Sequence, residues 1–547
     1  MKINIKTFLA VGLIGMASAC SDLDVDVNSY YTSYPTSEIA IAAKMADIYY
    51  SFAGPLNRRY DEAQSLSSDE YVGLSFDNSY VDNHTYSNMS LHLFSPDDAS
   101  TGYYDEVASG ISKANQIIVD LGGDDAEPSV IAPARAMRAF FHFILMDSYG
   151  DIPILDHLAD ANEGIERQPR ADVAKFIEKE LLASIPYLSS NNTQATYGKP
   201  NKWMAEALLV KLYINWPVYT ATSVDKYDAS SYNNEKLSSC VAYCDSIIKS
   251  GKFNLSEGAS GYHSKFFADN GYKVKDFIYA MPYDTKTLLG MTYARFRSWK
   301  KANTGVSYYG WAMAKSCAGV FALTPQMSDL FTLTGDARNN VILSNTIKMY
   351  ENGVKTNNDW TYNGSPQVLK KEITLKAQDR DLNVGEDVNG YNQGYKSVKF
   401  LPIADDYNNH ERSQSNDVPI FRYADILLTK AEAIARGASA TNGETALSLF
   451  NQIRSYAGAP TLSSTPTLKD ILDERGREFL DEHWRRNDMI RFGTFESDFG
   501  FHRKSFVDAN GNMIANFDKT RRIFPIPTGV LNNNTNWKQN PGYQSHI

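Results

Sequence analysis

The chain has 547 residues, 43% of them hydrophobic, and a formal charge of −10 from 54 Lys and Arg against 64 Asp and Glu. That length can bury a large core, and the acidic balance argues against a nucleic-acid partner, whose phosphates call for a basic surface. Four cysteines (Cys20, Cys240, Cys244 and Cys317) exclude a disulfide framework.

The first segment, "MKINIKTFLAVGLIGMASA", has a basic start at Lys2 and Lys6, an apolar run from Phe8 to Ala17 and small residues before Cys20. It predicts a signal peptide over 1–19, too short to span a bilayer. Cys20 stands where a bacterial lipoprotein carries its acylated cysteine. The tether that follows, "SDLDVDV", alternates Asp22, Asp24 and Asp26 with apolar residues. It resembles the acidic signal that sends Bacteroidota lipoproteins to the cell surface. The expected organisation is therefore a signal peptide at 1–19, a lipid anchor and tether at 20–35, and one domain over 36–547.

Helical periodicity appears over 103–121 (Val107, Ile111, Ala114, Ile118) and over 132–149, the apolar "RAFFHFILMDSYG". It continues over 173–188, 201–213 and 235–249, then returns at 422–436 and 444–456. Cys240 and Cys244 lie four apart on one of these helices and read as buried positions. "KWMAEALLVKLYI" with "KLSSCVAYCDSIIKSG" can be set beside "FRYADILLTKAEAIA" with "ETALSLFNQIRSYAG". Each is a helix, a turn and a second helix, which resembles irregular tetratricopeptide repeats. The fold class expected is mainly α: a tetratricopeptide-type scaffold over about 103–250 and 420–493. A loop-rich insert with short strands, such as "FIYAMPY", fills about 253–419. Further on, "VDANGNMI" reads as a hairpin around Asn510–Gly511. Asp508, Asn510 and Asn512 alternate as in a calcium loop, but no Glu closes the set.

"ERGREFLDEHWRRNDMIRFG", residues 474–493, packs acids and arginines most densely. Leu468, Ile471, Leu472, Arg475 and Phe479 share one helical face, while Glu474, Glu478 and Glu482 line another. Asp473 and Arg477 stand four apart in the favourable acid-first order. A glycosidase would need two carboxylates on opposite sides of a scissile bond, and acids side by side on one helix do not flank a substrate. The pattern predicts an ion-pair lattice that fastens the helix to a neighbouring layer. No H-E-x-x-H, G-x-S-x-G or phosphate-binding glycine loop occurs, so the chain is read as noncatalytic and without cofactor or metal.

The same stretch closely resembles the C-terminal signature of the SusD-like (RagB/SusD) family, the nutrient-binding outer-membrane lipoproteins of Bacteroidota. "GYYDEVASGISKANQII", "AMRAFFHFILMDSYGDIPIL", "DVPIFRYADILLTKAEAIAR" and the terminal "IFPIPTGVLNNNTNWKQNPGY" follow the family's order across nearly the whole chain past Cys20. The resemblance implies a tetratricopeptide scaffold with a variable loop-rich face. It further implies a surface-exposed, lipid-anchored outer-membrane protein that captures oligosaccharide or polysaccharide and delivers it to a SusC-like TonB-dependent transporter. The alternative reading is a peptide-binding member of the family or a tetratricopeptide interaction scaffold.

Sugar binding wants aromatic faces and a hydrogen-bonding rim. The richest stretch is "MTYARFRSWKKANTGVSYYGWAMA", with Tyr293, Arg297, Trp299, Asn303, Tyr308, Tyr309 and Trp311 as candidate ligand contacts. The resemblance puts part of the glycan platform here and matches Trp311 to a stacking position. It adds the loop after "SSDE", with Phe76, Asn78 and Tyr80. Leu288 and Leu289 stand where starch-type relatives often carry a Tyr-Gly-Gly turn.

Overall fold

In the computed structural model, the described residues are 38–77, 84–160, 163–297, 315, 317–351, 354–377, 379–497, 504–506, 513–515 and 517–544. The predicted signal peptide, Cys20 and the acidic tether fall outside them. Residues 43–547 form one compact unit.

The helical scaffold follows the sequence periodicity. Helices α1 (Tyr104–Asp120), α2 (Pro128–Tyr149), α3 (Arg170–Ser184), α4 (Lys202–Ile214) and α5 (Leu237–Lys249) pack one against the next. After the insert come α6 (Tyr423–Ala435), α7 (Ala446–Ala457), α8 (Leu468–Phe479) and α9 (Arg485–Phe492). α6 lies against both α5 and α8, so the two halves of the scaffold meet there. Local signals set the ends. Asn201 caps α4 by accepting from the Trp203 and Met204 N–H groups at 3.0 Å, and Thr467 and Asp470 close a capping box on α8. α2 begins with Pro128 at its first position and stops before Gly150. It is long and apolar enough to cross a membrane, but it is a core helix, buried from Ala136 to Tyr149. α1 approaches α2 so closely that a Cβ on Gly110 would lie 2.6 Å from the Phe141 ring.

Short helices that the periodicity did not predict precede α1, among them Arg59–Leu66, which is buried from Tyr60 onward despite its polar composition. The insert holds small antiparallel pairs. β1 (Tyr71–Gly73) pairs with β3 (Phe321–Leu323), and β2 (Phe277–Met281) with β4 (Val418–Arg422). The predicted "FIYAM" strand is β2. The expected hairpin also forms, with Lys504–Phe506 paired to Met513–Ala515. Cys240 and Cys244 are buried. Trp484 stacks on Phe421 at 5.7 Å and carries the Lys211 Nζ 4.3 Å above its ring.

Candidate functional site

The acid- and arginine-rich helices form a closed lattice. Glu474 forms an ion pair with Arg338 at 2.7 Å and accepts from Arg454 at 2.5 Å and Arg477 at 2.7 Å. Glu478 binds Arg422 at 2.7 Å, and Glu482 binds Arg422 at 2.7 Å and Lys399 at 2.5 Å. Asp276, brought in just before β2, adds bonds to Lys265 and Arg422. On the α9 side, Arg475 holds Asp425 and Asp488, and Arg491 holds Glu432 and Asp488. Burial alone would raise the Glu474 carboxyl; the facing Arg338, Arg477 and Arg454 outweigh it and hold the group below the usual carboxylate range. With these carboxylates closed into the protein, no pair of them flanks an open cleft. Two details differ from expectation. Asp473 pairs with Lys469, not Arg477, whose guanidinium turns inward to Glu474, and Leu468 is 37% exposed rather than on the buried face.

The candidate site lies at the sheet β1–β3. Tyr71 pairs with Leu323 and Gly73 with Phe321, and the Leu74 N–H donates to the Val320 carbonyl at 2.9 Å. β1 leads to the loop whose residues 78–83 lie outside the described set; β3 follows the stretch 298–316, of which only Lys315 is described. The roots of both loops meet. Ala318 and Gly319 donate back to the Arg295 carbonyl, closing the base of the longer one. Phe296 stacks on Phe321 at 5.5 Å and sits 6.0 Å from Tyr86, just past the other loop. The Arg58 guanidinium lies 5.1 Å over Phe296 and donates to the Tyr86 hydroxyl at 3.2 Å. Asp77 is held by Lys376 at 2.6 Å. Thus the two segments singled out for ligand contact, 291–314 and 71–84, meet at one small sheet. Leu289 beside them is 55% exposed.

Beneath the roots the structure corrects three candidate ligand residues. Arg297 is buried, with Asp61 at 2.8 Å, Asp481 at 2.9 Å and the Tyr293 ring 4.4 Å from its guanidinium carbon. Tyr293 is 1% exposed and its hydroxyl is hydrogen-bonded to His483 at 2.5 Å. Phe76 is equally buried, stacked on Tyr391 at 3.8 Å. All three are packed into the base from which the two loops leave, their rings and polar atoms already spent on protein partners. Trp299, Asn303, Tyr308, Tyr309, Trp311, Asn78 and Tyr80 lie outside the described residues. In the buttress, burial pushes the Asp61 carboxyl up to about 6 despite Arg297, and burial, then Arg297, pushes the His483 imidazole down to about 3, so it stays neutral. Sequence reasoning missed Asp61, Asp481 and Tyr86 as parts of this base. Only the run of buried-type polar residues in "RYDEAQSL" hinted at it.

Next to the sheet, a polar cleft of about 530 Å³ is lined by Gln367, Lys370, Glu372, Asn389, Asn392 and Gln393, among others. Its amides are partly used internally: Asn392 donates to Gln367 at 3.1 Å, and Gln393 accepts from the Thr374 N–H at 2.7 Å. The remaining donors and acceptors suit a hydroxyl-rich ligand. Among the described residues no group of three His, Cys, Asp or Glu could hold a metal ion.

Sequence comparison matches residues 276–543 to the profile of the SusD family and residues 23–214 to a profile described as starch-binding and associating with the outer membrane. The chain is 25% identical to the starch-binding protein SusD of Bacteroides thetaiotaomicron over 434 residues, covering 76% of this chain and 72% of that protein. Its fold resembles surface glycan-binding protein A from Bacteroides fluxus, with a TM-score of 0.68, 20% identity and coverage of 93% of this chain and 100% of that one. It also resembles surface glycan-binding protein A from Bacteroides thetaiotaomicron, solved with laminarihexaose, with a TM-score of 0.64 at 19% identity, covering 92% and 100%.

Proposed function

This chain belongs to the SusD family, and from that premise we propose that it is a glycan-binding lipoprotein of the cell surface. It captures oligosaccharide or polysaccharide without cleaving it and passes it to a SusC-like TonB-dependent transporter. One observation carries the reading: the two loops richest in stacking and hydrogen-bonding residues share a root at β1–β3, on a scaffold whose charges are closed off. Such an arrangement holds a loop-borne platform steady while leaving its composition free. The starch and laminarihexaose named for the relatives point to the same ligand class. Trp311 stacks on a sugar face in this reading, with Trp299, Tyr308 and Tyr309 beside it and Asn78, Tyr80 and Asn303 at the rim. Cys20 carries the lipid.

An affinity-gel and calorimetry panel of polysaccharides tests the proposal. At least one glycan binds and is recovered intact, and co-purification from membranes brings down a TonB-dependent channel. A panel without binders, alongside retention of a peptide mixture, would overturn the glycan reading in favour of a peptide ligand. Replacing Cys20 with Ala releases the protein from the membrane; a variant that stays membrane-bound and surface-exposed sinks the anchor.

A further inference from the structure

A second cavity, far in character from the loop platform, opens where α3 begins. It measures about 410 Å³, within the range of small-molecule pockets. Its walls include Val218, Val224, Ile523 and Pro541, with Arg170 and Asp151 as the charged lining residues. Arg170 is 8% exposed and, among the described residues, forms no ion pair or side-chain hydrogen bond; its guanidinium carbon lies 4.7 Å over the Tyr219 ring, and its Nε has no acceptor there. A buried arginine with no carboxylate in contact is costly and rare, and Arg475 and Arg477 on α8 both have one. The neighbourhood shares the surplus. Among the described residues, Arg167 donates to the Asp151 and Lys538 carbonyls and the Asn540 side chain and to no carboxylate. Among the same residues, Arg486 donates to the Arg521 and Arg522 carbonyls, and its Nε and Nη1 have no hydrogen-bond partner.

The start of α3 adds to this field. The helix is 15 residues long, and its first N–H groups point out of the helix. The Arg170 N–H is taken by an Asp151 carboxylate oxygen at 2.8 Å, and burial outweighs the attraction of the Asp147 and Asp151 charges, so the guanidinium is held below the usual arginine range. Ala171, the next residue of the helix, also lines the cavity.

We propose that this cavity is a binding site for a monocarboxylate, held by the Arg170 guanidinium and the N-terminus of α3, with the ligand's body against the apolar wall. A planar carboxylate matches the guanidinium fork, whereas the neighbouring Asp151 disfavours a doubly charged phosphate. The site is independent of the glycan reading, since it shares no residue with β1–β3 or its loops.

Isothermal titration of the purified protein with glucuronate, acetate, inorganic phosphate and neutral glucose tests it. Glucuronate and acetate bind, phosphate binds at least tenfold more weakly, and glucose does not compete. Arg170→Gln, which keeps a polar group over Tyr219, weakens glucuronate binding at least tenfold. Ala221→Phe, at the half-exposed rim, blocks the cavity without touching Arg170 and has the same effect. The proposal falls if wild-type protein binds neither carboxylate, if phosphate binds as well as glucuronate, or if a folded form of either variant binds like wild type.

Discussion

The helix pair α8–α9 and the loop-bearing sheet β1–β3 both gather unusual side chains, and they use them oppositely. Around α8, carboxylates meet guanidinium and ammonium groups drawn from positions as far apart as Asp276, Arg338, Lys399 and Arg422. At β1–β3 the charges lie below, in the Asp61–Arg297–Asp481 buttress, and the chain above is handed to two loops. In this protein, then, a dense run of ionisable residues marks where the fold is fastened. Recognition, in the function proposed, belongs to the two segments rooted at β1–β3.

The largest effect should come from cutting the lattice. Glu474→Ala takes the paired carboxylate from Arg454 and Arg477 and one of three from Arg338; it is expected to cost about 3–5 kcal/mol of stability, read by denaturant unfolding, while the folded fraction keeps its glycan affinity. If binding vanishes with the fold intact, the division between the two regions is wrong. Trp311→Ala is the mirror experiment: about 2 kcal/mol, or thirtyfold, lost in glycan affinity by calorimetry, with the melting temperature unchanged.

The seam between scaffold and insert gives a pH-dependent signal. Burial, against the hydrogen bond from Tyr197, pushes the Asp417 carboxyl up to about 7. Its folded value lies above its unfolded one, so its stabilising contribution is complete below about pH 4 and is lost as pH rises to about 7. Relative to Asp417→Asn, wild type should lose stability across that window with a slope of at most about 1.4 kcal/mol per pH unit; parallel curves would refute this. Smallest is Tyr293→Phe, which removes the bond to His483. It should cost about 1 kcal/mol of stability and leave glycan affinity untouched; a selective affinity loss would return Tyr293 to the ligand site.

The scaffold helices were legible because each carries its apolar face in its own sequence, as with Val107, Ile111 and Ala114 in α1. The lattice was legible in kind, since alternating acids and arginines have no other use on one helix, but not in its pairs: Arg338 and Arg422 lie far from Glu474 and Glu478 along the chain. The same distance explains the errors. Tyr293 and Arg297 look locally like an exposed binding patch. What buries them is His483, Asp481 and Asp61, some 184 to 236 positions away. Arg59–Leu66 was missed because its buried face is polar, and no hydrophobic period reports a helix whose partners are charges.

The bond from Ala318 back to the Arg295 carbonyl has a consequence for how such a protein can change. Once a loop's two ends are pinned together by the fold, the entropy of closing it grows only with the logarithm of its length, about 0.6 kcal/mol for each doubling. Residues between that pair of ends can therefore be lengthened, shortened or replaced wholesale at a cost smaller than that of breaking one buried ion pair. In the function proposed, a new ligand preference is reachable by swapping the segment while the helical scaffold stays as it is.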